Sequence, residues 1–325
     1  MDSLSKSLAA AVVASFAFTA MQAGAQGYPS RPVHAIISFT PGSSTDIVGR
    51  VVMQKVSEYW GQPVVAENRA GAGGSIGSAV VARAAPDGYT LLINSSAHSV
   101  NPAIYARLPY ETTKDFIDIV PLAVQPNVLV VSAASSSHKS VADLIAFAKA
   151  RPGALNFGHA GIGSGTHLST EKFISSAAIS VTQVPFKGTP EVVTALLGGS
   201  VDCYWVPISA GMANIRSGKL RPLAVSSAKR SSQLSAVPTM GEAGVRDADS
   251  PLWFGVWAPA GTPAEVVNRI SADVRRALMD PGVREKLASL GNDPMDMPPD
   301  EFARLVRSEI EDYARVVKAA GIKPQ

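Results

Sequence analysis

Short runs of β-branched and other apolar residues alternate with amphipathic helical patterns through the first part of the chain. The runs at 33–39, 63–68 and 89–94 predict strands. The segments 46–60 and 74–83 between them predict helices, because their apolar residues recur every three or four positions. This alternation is typical of strand–helix–strand units, which build parallel sheets.

A second alternating set follows the long apolar stretch 117–131, which has no helical periodicity and predicts an extended crossing. The strands and helices predicted in this second set are 155–158, 166–175, 181–186, 189–197, 203–207 and 208–217. The apolar segment 220–226 predicts the return crossing. Two alternating halves joined by two crossings predict two α/β lobes, and small ligands bind in the cleft between such lobes. We expect lobe 1 to contain 26–122 and 227–325, and lobe 2 to contain 123–226.

The last third of the chain is predicted to be mainly helical. One helix follows the capping sequence at 262–265, and another is predicted at 298–320. Phe302, Val306 and Val317 fall on one face of the second helix, and this apolar stripe predicts a face that packs against a core.

The N-terminal 25 residues predict an export signal. Lys6 precedes an apolar, alanine-rich stretch at 8–20, which is shorter than the roughly 20 residues needed to span a bilayer. The small residues Ala23, Gly24 and Ala25 then provide a cleavage site. A buried N-terminal helix is the alternative. We expect cleavage after Ala25 and a soluble mature protein in the periplasm.

The composition excludes several classes of function. The 29 Lys and Arg residues against 26 Asp and Glu give a net charge of +3, and no basic run suggests a nucleic-acid surface. Cys203 is the only cysteine of the 325 residues, so no disulfide forms within the chain. The five histidines form no pair at helical spacing, and the sequence predicts neither a metal site nor a cofactor.

Two loops rich in glycine and hydroxyl residues are the candidate ligand site. The first loop, 40–46, and the second loop, 158–167, each lie between a predicted strand and a predicted helix. Unpaired amides and the helix dipole make such a position suitable for a carboxylate or a phosphate. Ordinary helix capping is the alternative for the first loop. The second loop lacks the G-x-G-x-x-G spacing of a dinucleotide site.

A third glycine-rich segment, the glycine turn at 68–77, contains a formal match to the G-x-S-x-G nucleophile elbow around Ser75. That motif needs a strand that runs directly into the serine, whereas Ser75 follows a run of glycines. We therefore favour a turn that closes against a neighbouring loop, and we keep an exported serine hydrolase as the alternative.

The mature chain resembles the Bug-type solute-binding receptors of tripartite tricarboxylate transporters. The resemblance rests on motifs that occur in a fixed order: PGSSTD at 41–46, ENR at 67–69, GAGG at 71–74, PDGYTLL at 86–92, HSVNP at 98–102, GSGTHL at 163–168, PFKG at 185–188, LLGGSVD at 196–202, GKLR at 218–221, VPTMGE at 237–242 and WAPAGTP at 257–263. In this order, behind an export signal, the set is specific.

This resemblance implies a two-lobed α/β fold of the periplasmic-binding-protein type (type II-like), with a cleft that closes like a Venus flytrap. It implies a monomeric receptor that is not an enzyme and that carries a small organic carboxylate to membrane permease subunits. A binding protein that feeds a sensor kinase is the alternative. The residues nominated to hold the carboxylate are Phe39, Gly42, Ser43, Ser44, Thr45 and Asp46 from one lobe, and Gly161, Gly163, Ser164, Gly165 and Thr166 from the other.

Two positions depart from the usual pattern of the family. Ser43 stands where a second glycine is common, and Val206 stands where a polar or acidic residue is common. Because of the second departure, the sequence does not predict which chemical group at the far end of the ligand the cleft accepts. We expect Asp46 to accept or exclude a neighbouring ligand group according to its charge.

The predicted export signal has a direct test. Mass spectrometry of the periplasmic fraction is expected to show a mature chain that begins at Gln26, because the small residues at 23–25 suit signal peptidase. Recovery of the chain from the cytoplasm with Met1 retained would contradict the prediction.

Overall fold

The computed structural model describes residues 27–319, which form two mixed β-sheets flanked by helices. The first sheet contains β1 (Val33–Ile37), β2 (Val64–Asn68), β3 (Thr90–Ser95), β4 (Phe116–Gln125), β10 (Leu252–Pro259) and β11 (Asp293–Pro294) in the order β11-β4-β10-β3-β1-β2. The β1 strand pairs in parallel with β2 and β3, and β10 lies antiparallel to β3 and β4. The strand–helix–strand alternation predicted for the first part of the chain is confirmed.

The second sheet has five strands. They are β5 (Asn127–Ser132), β6 (Asn156–His159), β7 (Thr182–Pro185), β8 (Cys203–Pro207) and β9 (Leu220–Val225), in the order β7-β6-β8-β5-β9. The β6 strand is parallel to β7 and β8, whereas β5 is antiparallel to β8 and β9. Pro126 alone separates β4 in the first sheet from β5 in the second, so the apolar stretch 117–131 is the extended crossing that the sequence predicts.

The helices surround both sheets. They are α1 (Ser44–Trp60), α2 (Ser75–Ala82), α3 (Ala97–Ile104), α4 (Val141–Ala150), α5 (Gly165–Ala177), α6 (Thr189–Leu197), α7 (Ile208–Arg216), α8 (Ala264–Met279), α9 (Pro281–Ser289) and α10 (Pro299–Ala319). The α3 helix is not predicted by the sequence analysis, because it is short and contains Pro102. No helix within residues 27–319 is both long and apolar enough to cross a membrane.

Both faces of each sheet are covered by helices. In the first sheet, Ile37 and Ile93 pack with α1 and α8, whereas Ile36, Leu92 and Trp257 face α2 and α10. In the second sheet, α4 and α5 cover one face and α6 and α7 cover the other. Burial on both faces explains why the central strands β5 and β10, in which every residue is buried, are largely apolar runs without polar alternation.

The return from the second sheet to the first differs from the sequence-based boundary. Residues 227–250 follow β9, yet Met240 and Val245 pack in the core of the second sheet, and the Ser250 amide donates to the Ser226 carbonyl. The chain enters the first sheet only at Leu252. We therefore propose lobe boundaries near Pro126 and Pro251 instead of 122/123 and 226/227. The predicted export signal, residues 1–25, lies outside the described residues.

The C-terminal helix α10 is held by one aromatic anchor. Phe302 is fully buried, and its ring centroid lies 5.4 Å from that of Trp253 and 5.3 Å from that of Trp257. Val306 and Val317 are buried on the same helix, as the apolar stripe predicts.

Truncation of this anchor is expected to destabilise the protein strongly. Phe302→Ala should lower the free energy of unfolding by about 3–5 kcal/mol, because a buried ring is replaced by a cavity. Met279→Ala, at a largely exposed helical position, serves as the control and should change it by about 0.5 kcal/mol or less. Urea denaturation measures both values, and equal losses would contradict the role of Phe302.

Candidate functional site

The helix N-termini of both lobes meet at one cavity. The parallel strands β1 and β3 of the first sheet and β6 and β8 of the second all end there, and the loops that follow them lead into helices. Twelve residues line the cavity: Phe39, Ser43, Ser44, Thr45, Ser95, Ala160, Ser164, Gly165, Thr166, Thr189, Pro207 and Leu252. We call this space the cleft cavity.

The first loop presents the start of α1 to the cleft cavity. Ser43 caps the helix, since its hydroxyl accepts a hydrogen bond from the Asp46 amide at 3.4 Å. The amides of Ser44 and Thr45 have no hydrogen-bond partner within residues 27–319, as expected for the first turn of a helix. The capping alternative and the ligand hypothesis are therefore compatible, because Ser43 satisfies one amide and two others stay free.

Asp46 does not line the cavity. One of its carboxylate oxygens accepts from the Gly42 amide at 2.9 Å, and the other accepts from Arg50 Nε at 2.7 Å and Asn68 Nδ2 at 2.9 Å. Asn68 Nδ2 also donates to the Phe39 carbonyl at 2.8 Å. With both oxygens occupied, Asp46 fixes the shape of the first loop, and the geometry does not support direct contact with a ligand.

The second loop repeats the arrangement in the other lobe. The Ser164 hydroxyl caps α5 by accepting from the His167 amide at 3.2 Å and lies 3.0 Å from the Thr166 hydroxyl. The Thr166 hydroxyl also accepts from the Ala160 amide at 3.0 Å, which fixes the loop. The amides of Gly165 and Thr166 have no partner within the described range.

The walls of the cavity carry no charge. None of the twelve lining residues is acidic or basic. His159 lies behind the second loop, and burial, together with the nearby His167, lowers the pKa of its imidazole to about 4. His159 is therefore neutral near pH 7, and it adds no positive charge to the site.

Five lining residues are not among those that the sequence predicts: Ser95, Ala160, Thr189, Pro207 and Leu252. Ser95 and Pro207 are the last residues of β3 and β8, so strand ends are the signal that would have indicated them. Thr189 begins α6, and its hydroxyl lies 2.9 Å from the hydroxyl of the buried Tyr204. Leu252 enters from the return crossing, and no local pattern indicates it.

Gly42, Gly161 and Gly163 were also predicted, and the structure places them outside the cavity. A Cβ at Gly163 would lie 2.6 Å from Asn101 Oδ1, and a Cβ at Gly42 would lie 3.7 Å from Pro190. These glycines therefore lie where the two lobes touch. Tyr105 closes this contact by donating from its hydroxyl to the Ile162 carbonyl at 2.8 Å.

The glycine turn does not have the geometry of a nucleophile elbow. The β2 strand ends at Asn68, and a 3₁₀ turn at Ala72–Gly74 intervenes before Ser75 begins α2. Gly73 instead approaches the second loop so closely that a Cβ would overlap the Ile162 carbonyl oxygen. The turn therefore closes against a neighbouring loop. No group of three or more His, Cys, Asp or Glu residues within 27–319 could hold a metal ion.

The contact between the glycine turn and the second loop can be tested with a matched pair of variants. Gly73 and Gly61 both have φ near +60°, but Gly61 faces open space. Each Ala substitution should therefore cost about 1–2 kcal/mol of backbone strain. Gly73→Ala alone should also separate the lobes and increase the radius of gyration in small-angle X-ray scattering. Equal radii for the two variants and the wild type would contradict this contact.

Comparisons with known proteins show the family and the fold of the chain. Residues 48–322 match the family model described as "Tripartite tricarboxylate transporter family receptor". Protein BugT of Bordetella pertussis is 38% identical over 301 residues, which cover 92% of each chain. An R. palustris protein solved with adipate is 37% identical with a TM-score of 0.89, covering 92% of this chain and 100% of its own. MatC from Rhodopseudomonas palustris, solved with bound malate, is 32% identical with a TM-score of 0.84, covering 89% and 100%. The chain therefore belongs to the receptor family of the tripartite tricarboxylate transporters and has the two-lobed fold of periplasmic binding proteins.

Proposed function

We propose that this receptor captures a small dicarboxylate in the cleft cavity and delivers it to the permease subunits of a tripartite transporter. The observation that carries the proposal is the pair of helix N-termini, α1 and α5, which present four unpaired amides to one uncharged cavity. Relatives with adipate and with bound malate support a dicarboxylate as the ligand.

Neutral donors can hold one carboxylate in this site. Each helix N-terminus carries a partial positive charge of about half a unit, and its amides already point outward. The hydroxyls of Ser44, Thr45 and Thr166 add donors beside those amides. A carboxylate held in this way needs no arginine or lysine, and it can be released without breaking a buried ion pair.

The second carboxylate of the ligand would extend toward α6. Thr189 lines that side of the cavity, and its hydroxyl pairs with Tyr204 at 2.9 Å. Either hydroxyl can turn its proton toward a carboxylate oxygen. The buried Val206 stands in the neighbouring strand and offers no polar contact, so Thr189 is the group that we assign to the distal end.

Entry of the ligand requires the lobes to separate. The cleft cavity has a volume of about 20 Å³, which is room for one or two water molecules and is too small for malate or adipate. The Tyr105–Ile162 hydrogen bond and the Gly73 contact hold the lobes together at the mouth. We infer that the ligand enters an opened form in which these contacts are broken, and that the lobes then close around it.

We further propose that the protein is exported, is cleaved after Ala25, acts as a monomer, and is not an enzyme. The geometry around Ser75 supports the last point, because no strand leads directly into this serine. Delivery to a sensor kinase remains the alternative to delivery to a permease. Uptake of the dicarboxylate by cells that lack this receptor distinguishes the two. Uptake should be lost if the receptor serves a permease, and it should be unchanged if the receptor serves a sensor kinase.

A side-chain substitution tests the mode of binding. The Thr45 hydroxyl makes no hydrogen bond within the described residues, so Thr45→Val should preserve the fold and remove one ligand donor. Loss of a neutral hydrogen bond of about 0.5–1.5 kcal/mol predicts roughly 2- to 12-fold weaker binding of malate or adipate in calorimetry. Thr194→Val, on the exposed side of α6, is the control and should bind normally.

Two outcomes would contradict the proposal. Failure of the wild-type chain to bind any dicarboxylate of four to six carbons would contradict the function. A steep fall in affinity with added salt would contradict the neutral site, because it would indicate an exposed cation as the main attraction.

A further inference from the structure

The peptide unit between Ile162 and Gly163 in the second loop is held from both sides. Its carbonyl accepts from the Tyr105 hydroxyl of the first lobe at 2.8 Å, and its N–H donates to Nδ1 of His167 on α5 at 3.3 Å. Because the C=O and N–H of a trans peptide point in opposite directions, these two bonds together fix the rotation of one rigid plane. His167 therefore orients the carbonyl that joins the two lobes.

The hydrogen bond from Gly163 also determines which nitrogen of His167 carries the proton. A backbone N–H can only donate, so Nδ1 must be without a proton, and the single proton of the neutral ring must lie on Nε2. The ring Nε2 lies 3.4 Å from Oε1 of Glu171, which is one turn further along α5 and also accepts from the Gln183 side chain at 2.7 Å. Glu171 therefore favours the tautomer in which Nδ1 is free to accept.

The other ionisable groups around His167 keep their charge near neutral pH. The ring of His159 lies 4.7 Å from that of His167, and burial, together with His167, lowers the pKa of His159 to about 4. Burial raises the pKa of Glu171, but the hydrogen bonds that it accepts outweigh this effect and hold the pKa below its usual value. Burial raises the pKa of Tyr105 to about 12, so its hydroxyl remains a donor. A change in this loop between about pH 5.5 and 8 would therefore point to His167, because histidine is the side chain that ordinarily titrates in that interval.

We propose that His167 is a proton-sensitive positioning residue, which holds the lobes together through the Ile162–Gly163 peptide only while its ring is neutral. When Nδ1 takes up a proton, it can no longer accept from the Gly163 amide, and two N–H groups face each other. The peptide then turns, and its carbonyl loses the Tyr105 hydroxyl. Acidification therefore opens the mouth of the cleft.

This inference deepens the proposed function and rests on it in one respect, because opening of the cleft would release the ligand. The contacts that carry the inference are all made within the protein. Its tests therefore use the chain without ligand, and they do not depend on which ligand the cleft cavity binds.

NMR of the unliganded, uniformly ¹⁵N-labelled chain tests the protonation state of His167. At about pH 8 the ring should carry its proton on Nε2, and a scalar coupling through the hydrogen bond should join the Gly163 amide nitrogen to Nδ1. On acidification to about pH 5.5, the ring should take up a proton on Nδ1 and the coupling should disappear. A proton on Nδ1 at the higher pH, or no coupling there, would contradict the proposal.

Small-angle X-ray scattering of the unliganded chain tests the opening itself. Loss of the neutral hydrogen bond between Tyr105 and Ile162, about 0.5–1.5 kcal/mol, should shift the ratio of closed to open molecules roughly 2- to 12-fold. The radius of gyration of the wild type should therefore be larger at about pH 5.5 than at about pH 8. Tyr105→Phe removes the bond at every pH, so its radius should be large at both values and should not respond to acid.

A conservative variant separates titration of His167 from its packing. His167→Asn keeps an acceptor, Oδ1, near the position of Nδ1, but it cannot take up a proton, so its radius should stay small at both pH values. His34→Asn, at an exposed histidine on β1, is the control and should open on acidification as the wild type does.

Three scattering results would overturn the inference. The first is a wild-type radius that is the same at both pH values. The second is a His167→Asn variant that opens on acidification as far as the wild type does. The third is a Tyr105→Phe variant that keeps the full response to acid. Failure of the chain to bind a dicarboxylate would contradict the proposed function but would leave these results unchanged.

Discussion

The carboxylate of Asp46 is the interaction on which the binding geometry of the first lobe depends. It joins the Gly42 amide, Arg50 and Asn68, and these bonds fix the loop between β1 and α1. Arg50 balances the buried negative charge, so the cost of burying it is reduced and the cavity stays neutral. Because the Gly42 amide is turned back toward Asp46, the next free amides, those of Ser44 and Thr45, are the ones that point into the cleft.

In the second lobe, the loop before α5 is fixed without a carboxylate. There the Thr166 hydroxyl accepts from the Ala160 amide and lies beside the capping Ser164, so hydroxyl groups take the place of Asp46 and Arg50. The two lobes therefore present similar helix N-termini that are stabilised by different chemistry. Two partial charges that face each other across a small gap repel each other, and a bound carboxylate would remove that repulsion. This electrostatic gain gives the ligand a way to favour the closed form.

Most of the secondary structure and the two loops could be predicted from the sequence because their signals are local. Strand runs, capping serines such as Ser43 and Ser164, and the apolar face of α10 are all encoded within a few residues. Asn68 could not be predicted, since its bond to Asp46 joins residues 22 positions apart. Leu252 was missed for a related reason, because residues 227–250 before it have no periodic pattern and are held to the second sheet by long-range packing.

The three glycines that were predicted to bind the ligand show what a motif alone leaves undecided. A glycine in a glycine-rich loop indicates that the backbone needs a positive φ or a close approach, but it does not indicate which partner comes close. At Gly161 and Gly163 the partner is the other lobe, in particular Gly73 and Asn101. A side chain at Gly163 would act as a wedge between the lobes, because its Cβ would lie 2.6 Å from Asn101 Oδ1. Substitutions there would therefore alter ligand affinity through the closing equilibrium, whereas substitutions at Ser44 or Thr45 would alter it through direct contacts.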